Sequence, residues 1–211
     1  MSTRRCVGAL MAGGAAHRFH GLPKGLALVG GLRIADRARA ALHLASDREI
    51  VVANDPRASV WFPNARVVRD AEPGLGPLAG IRAALAAADG DAVLVVAWDM
   101  PFVTGALLRT LREMGEAGAS AVVPVTGPSS VPEPLCAYYA PESLTICDRL
   151  LVAGERRAGA LFDALPSAAT LGGADLAALG EPSHLLRSVD TPEALLALGG
   201  RLPDGEDGAR R

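Results

Sequence analysis

The residues best suited to chemistry fall in two places. The stretch LMAGGAAHRFHGLPKG, from Leu10 to Gly25, gathers Gly13, Gly14, Arg18 and Lys24 into one loop, and a lone Asp99 ends the apolar run AVLVVAWDMP. Of the 21 Lys and Arg side chains, Lys24 is the only lysine. Consecutive glycines let backbone N–H groups approach an anion with no Cβ in the way. Arginine's planar fork suits a fixed bidentate contact, whereas an ammonium is a compact point charge that can follow a phosphate as it moves. The loop therefore has the make-up of a polyanion site, the alternative being that Lys24 merely survives in an arginine-biased chain. Two familiar phosphate loops do not fit it. G-x-x-x-x-G-K-[ST] fails because Lys24 stands between Pro23 and Gly25, and G-x-G-x-x-G fails because Gly13-Gly14 is followed by Ala-Ala-His.

The elements that must hold these residues can be read from the apolar pattern. RCVGALM (Arg5 to Met11), EIVVA (Glu49 to Ala53) and AVLVVA (Ala92 to Ala97) are short apolar runs ended by turn residues, which predicts buried strands. Between them, Ile34 to Ala45 and Leu78 to Ala88 have helical spacing. A further helix is predicted over Thr104 to Ala117, with Thr104 as its N-cap. Alternating strands and helices predict an α/β fold of three layers, α/β/α, around a mostly parallel central sheet. Such sheets bind ligands beyond the carboxyl ends of their strands. The loops carrying Lys24, Asn54 and Asp99 then meet at one edge.

After Ser120 the alternation loosens. SAVVPV reads as a strand, VTGPSSVPEP as a proline-rich loop, PLCAYYA as a strand, and PESLTICDRLLVAG as a helix capped by its early Pro141 and Glu142. One domain is expected over 1–200, with its halves dividing near 118 and 119, and a polar, glycine-rich tail over 201–211.

Composition narrows the partners. A net charge of −2 and a pI near 6.1 give no overall basic surface, which excludes nucleic-acid binding driven by bulk charge. Cys6, Cys136 and Cys147 are odd in number and lack C-x-x-C spacing, so they read as buried apolar residues, not as a disulfide framework or zinc site. The apolar run after Arg4-Arg5 is too short and glycine-broken for a signal peptide, and no apolar stretch nears the ~20 residues of a membrane span. A cytoplasmic protein without a membrane partner is the simplest expectation.

LMAGGAAHRFHGLPKG resembles the L-x-A-G-G-x-x-x-R-[MF]-G-x-x-K signature of the MobA-like NTP transferase superfamily, with His20 where a glycine often stands. Within it, the chain is most similar to the molybdenum cofactor guanylyltransferases. RDAEPGLGPLAGI resembles that family's acidic residue and G-P-L-x-G, and AWDMPF its C-D-x-P segment. PLCAYYA, GERRAGALFDAL and SVDTPEAL resemble its P-L-C-A-L-Y, G-E-R-R and N-x-N-T-P-E-x-L segments. The six segments run in family order along nearly the whole chain.

The resemblance implies a Rossmann-like nucleotidyltransferase fold, with a nucleotide-binding half over about 1–118 and an acceptor-binding half over about 119–200. It implies transfer of GMP from magnesium GTP to molybdopterin, with release of pyrophosphate, and Mg²⁺ as cofactor. Molybdenum-insertion proteins or molybdoenzyme chaperones are then partners. The nucleotide would lie on Met11, Ala12, Gly13, Gly14, Lys24, Asn54, Asp70, Gly76, Gly80 and Asp99. The amides of residues 12 to 14 would cradle the triphosphate, and Lys24, Arg18 and Asp99 would be catalytic. Asp99 would hold Mg²⁺, with Asp190 as a second ligand; the other role for Asp190 is N-cap of the helix after Pro192. Asp70 could instead close an Asx turn. Asn54 stands one residue beyond the family's asparagine position, which Ala53 fills, and could be a plain turn residue. His17 and His20 are either phosphate contacts or exposed loop residues. Arg156 and Arg157 either receive the acceptor's phosphate or start a solvated helix. Trp98 replaces a small residue and would narrow the pocket. The D-T-P-E ending is also found in related cytidylyltransferases, so CTP, or another phosphorylated acceptor, is the nearer alternative; an idle nucleotide-binding protein is the more distant one.

Overall fold

In the computed structural model of the chain, residues 5–13, 19, 23–70, 74–127 and 129–202 are described. The first part runs β1 (Cys6–Met11), a small hairpin of β2 (Leu28–Val29) and β3 (Leu32–Arg33), α1 (Ile34–His43), β4 (Arg48–Val52), α2 (Ala58–Trp61), β5 (Arg66–Val68), α3 (Pro77–Ala88) and β6 (Ala92–Ala97). The second runs α4 (Gly105–Glu116), β7 (Ala121–Thr126), β8 (Val131–Pro132), β9 (Cys136–Tyr139), α5 (Ser143–Val152), α6 (Ala158–Ala164), β10 (Ala168–Leu171), α7 (Gly173–Ala177), α8 (Pro182–Leu185) and α9 (Pro192–Ala197).

β1 is apolar throughout because both of its faces are covered. Cys6 and Leu10 enter one core with Ala38 and Leu42 of α1 and Leu107, Leu108 and Leu111 of α4. Val7, Ala9 and Met11 enter the other, with Leu78 and Ile81 of α3, Cys147 of α5 and Leu161 of α6. These are the three predicted layers. The sheet order is β10-β7-β9-β6-β1-β4-β5, with β8 added to β7. β1, β4, β5 and β6 are mutually parallel, and β7 and β10 are parallel to each other. β9 is inserted antiparallel between β6 and β7, because its connection from β7 is too short for a crossover helix. That reversal brings the start of β9 to the edge where β6 ends.

Element boundaries move by a residue or two from those predicted, and the proline-rich loop contains β8. Glu142 precedes the fifth helix but makes no side-chain capping bond. Thr104 does cap α4, its Oγ1 accepting from the Leu107 N–H at 3.2 Å. Thr104→Ala is expected to cost about 1 kcal/mol of stability, checked by a lower urea midpoint at unchanged slope. All three cysteines are buried, and burial pushes the Cys6 and Cys147 thiols up to about 12. Among the described residues, no helix is long and apolar enough to cross a membrane.

A third core joins the two ends of the chain. Phe19, Ala27, Val29 and Ile34 pack with Val189 and Leu195. Leu28 and Arg201 exchange two backbone hydrogen bonds, of 2.8 and 2.9 Å, so the chain stays attached to the body through Arg201. Segment 188–201 is thereby held against the Lys24 region.

Candidate functional site

β1, β4, β5 and β6 run parallel, so their carboxyl ends share one edge. β1 is the switch point, with β4 on one side of it and β6 on the other, and the diverging loops leave a crevice there. The cavity measures about 750 Å³.

Lys24 opens a one-turn 3-10 helix, Lys24–Leu26, closed by the Ala27 N–H on the Lys24 carbonyl at 3.1 Å. Gly25 lies flat on the Trp98 ring; a Cβ there would come within 2.4 Å of it. This close approach presses the turn against the exit of β6 and brings Lys24 to Asp99. The Lys24 ammonium pairs with Asp99 Oδ2 and lies 3.0 Å from Asp190 Oδ1. The Ser188 hydroxyl donates to Asp190 Oδ2, and the Val189 N–H donates to the Asp99 carbonyl at 2.9 Å. A cation therefore sits between two carboxylates that lie far apart in sequence.

The electrostatics follow from that triangle. Burial pulls the Lys24 pKa down, but Asp99 and Asp190 outweigh it and hold the ammonium above its ordinary value. Asp99 is 6% exposed; burial pushes its carboxyl up, and Lys24 opposes the rise only in part. The site is thus built to keep a cation beside Asp99. Thr191, not Asp190, caps α9, accepting from the Ala194 N–H at 3.1 Å. This settles the capping alternative: the Asp190 carboxylate meets Lys24 and Ser188 instead.

The opposite end of the cavity holds Asn54, after β4, and Asp70, after β5. They make a reciprocal pair: the Asn54 amide donates to Asp70 Oδ2 at 3.0 Å, and the Asp70 N–H donates to Asn54 Oδ1 at 2.9 Å. Neither is a lone turn residue. Asp70 Oδ1 is buried and has no hydrogen-bond partner among the described residues. A Cβ on Gly80 would lie 3.9 Å from that oxygen and 2.5 Å from Met11 Cε, so the glycine keeps the wall beside it low. Gly76 sits at the N-terminus of α3 with φ of 78°, and a Cβ there would reach within 2.9 Å of the Arg156 carbonyl. That position requires glycine.

Several sequence expectations change. The Ala12 N–H does not face the cavity; it donates to the Val52 carbonyl at 2.8 Å, extending the β1–β4 ladder by one residue. Any cradle of amides begins at Gly13, whose Cβ direction is open. Arg156 donates to the carbonyls of Leu151 and Glu155, and the 79% exposed Arg157 side chain pairs with Glu155. Neither arginine lines the cavity. The GERR segment contributes through its backbone instead, the Leu78 N–H donating to the Arg156 carbonyl at 3.2 Å. Trp98 does line the cavity, buried 6.0 Å from the Trp61 ring, with its Nε1 unpartnered among the described residues. Gly14, His17, Arg18 and His20 lie outside the described residues.

Glu133 and Ser188 also line the cavity, and sequence reasoning missed both. In sequence Glu133 reads as part of a proline-rich loop. The available signal was an acidic residue between two prolines, just ahead of a wholly buried strand.

The family described as MobA-like NTP transferase domain matches residues 8–169. The chain is 35% identical over 193 residues to a probable molybdenum cofactor guanylyltransferase of Deinococcus radiodurans, covering 92% of this chain and 93% of that one. It is 30% identical over 159 residues to the molybdenum cofactor guanylyltransferase of Desulfosudis oleivorans, covering 75% and 77%. Its fold matches the crystal structure of molybdopterin-guanine dinucleotide biosynthesis protein A from Archaeoglobus fulgidus with a TM-score of 0.76 at 25% identity, covering 91% and 96%.

Proposed function

Since the chain belongs to the MobA-like NTP transferase domain family, we propose that it transfers GMP from GTP to the phosphate of molybdopterin. An oxygen of the acceptor's phosphomonoester attacks the α-phosphorus of GTP, the bond from that phosphorus to the β-phosphate oxygen breaks, and pyrophosphate leaves. Residues 1–118 form the nucleotide half and 119–200 the acceptor half. The observation that carries the reading is the Lys24 ammonium held between Asp99 and Asp190, on the floor of a cavity whose far wall is the Asn54–Asp70 pair.

Gathering several phosphates leaves little covalent work for a protein beyond placing charges and aligning groups. Gly13 offers an unobstructed backbone to the triphosphate. Lys24 balances charge near the α- and β-phosphates as it shifts toward the leaving group, with Arg18 as its helper from the same loop, and Gly14 adds its backbone amide to the cradle. Asp70 is oriented by Asn54, and its second oxygen is a buried acceptor that takes a donor from the nucleoside.

Asp99 and Asp190 fit magnesium: both are hard oxygen donors aimed at one cation position, now taken by an ammonium. No group of three or more His, Cys, Asp or Glu suited to a metal occurs among the described residues. Two carboxylates suffice, because Mg²⁺ takes the rest of its shell from phosphates and water. When bound there, magnesium neutralises phosphoryl charge.

The test is pyrophosphate release with each of the four nucleoside triphosphates, with and without molybdopterin. GTP and molybdopterin together should be required; preference for CTP would replace the guanine assignment, and binding of GTP without any turnover would make the protein an idle binder. Asn54→Ala should raise KM for GTP about tenfold with kcat little changed, since it releases an oriented charged acceptor. Steady-state kinetics at saturating molybdopterin would check it.

A further inference from the structure

Glu133 is held in place more firmly than its loop position suggests. Its N–H donates to the Pro124 carbonyl at 3.0 Å, and its carbonyl accepts from the Cys136 N–H at 3.1 Å. Its Oε1 accepts from the Leu135 N–H at 3.1 Å, while the Leu135 carbonyl accepts from the Ala97 N–H at 2.7 Å, tying the turn to the end of β6. The carboxylate is thus a rigid fixture of the cavity wall. No cation pairs with it among the described residues, and burial pushes its carboxyl up, with the fields of Asp99 and Asp190 adding to the rise.

A half-buried carboxylate that lines a cavity and pairs with no cation among the described residues calls for N–H or O–H donors. It also repels phosphate, so the anionic end of any ligand must turn away from Glu133 and toward Lys24. Position decides which ligand supplies the donors. Asp70 follows β5, at one edge of the strand order, and Glu133 precedes β9, on the far side of β6 and Asp99. Four strand spacings separate them, roughly 19 Å. That separation suits two heterocycles joined through phosphates, one at each end of the crevice.

We infer that Glu133 recognises the acceptor, its carboxylate receiving the adjacent amino and ring N–H donors of a pterin while its charge directs the acceptor's phosphate toward Lys24. The inference rests on the guanylyl-transfer reading. It assigns the donor-rich edge of the acceptor to Glu133 and that of the guanine to the opposite wall.

Glu133→Gln retains an oxygen for the Leu135 N–H and removes the charge. With GTP and molybdopterin, KM for molybdopterin should rise 10- to 100-fold, while kcat stays within threefold and GTP affinity, measured directly by calorimetry, is unchanged. Glu133→Asp keeps the charge but withdraws it by one methylene, and should fall between wild type and Glu133→Gln. Unchanged KM for molybdopterin in Glu133→Gln would overturn the inference while leaving guanylyl transfer intact, and so would a loss confined to GTP affinity. If the wild-type protein released no pyrophosphate from GTP and molybdopterin, the functional reading would fail and this inference with it.

Discussion

Alanine in place of Lys24 is expected to slow pyrophosphate release by roughly 10²- to 10³-fold, the loss seen when one preorganised charge stabiliser is removed from a transition state. Two effects combine. The ammonium that balances phosphate charge is gone, and Asp99, already pushed up by burial, loses the partner that opposed the rise. Nucleotide binding should suffer less than turnover, because other parts of the site hold GTP when the phosphates are not yet reacting. Lys24→Arg separates charge from shape. A guanidinium keeps the charge, but it is broader than the ammonium now lodged between two carboxylates on a turn pressed against Trp98. Turnover should therefore drop more than GTP affinity in this variant too. Single-turnover rates and nucleotide binding measured in parallel would decide it, and wild-type turnover in Lys24→Arg would remove the special role of the lysine.

Asp99→Asn should have the larger effect, lowering magnesium-dependent pyrophosphate release by about 10³-fold or more, since the better buried of the two carboxylates at the cation position is neutralised. The fold should not suffer equally. Asp99 is a desolvated carboxylate whose burial opposes its charge, and Lys24 would keep Asp190 as partner. A thermal midpoint near that of wild type, with weakened manganese binding in the presence of GTP, is the expected pair of results. Manganese bound as tightly as in wild type would show that the metal is held elsewhere. Asp190→Asn should be milder, because that carboxylate is about half exposed.

Much of this protein is legible in one dimension. An apolar run closed by turn residues is a local pattern, and for β1, β4 and β6 it was enough to predict buried parallel strands whose ends share an edge. The same locality singles out Lys24 and Asp99, which the structure brings together: each is a charged residue set immediately beside glycine or an apolar run, where solvation alone does not explain it. Thr104 as a cap was equally local, decided within a single helical turn.

What the sequence could not decide depends on distances between residues remote along the chain. Asp190 and Thr191 both suit a cap, and Asp190 comes to serve Lys24, 166 residues away, because the third core, the Leu28–Arg201 bonds and the Val189 N–H on the Asp99 carbonyl together hold its segment there. The Ala12 amide looked available for phosphate until β4 lay alongside and took it. The GERR arginines turned to nearby carbonyls and Glu155, and Glu133 became part of the cavity wall because β9 runs antiparallel to β6. A short polar side chain has several local roles of similar energy, each worth about 1 kcal/mol. Tertiary packing chooses among them by fixing which partner lies within 3 Å, and no local pattern carries that information.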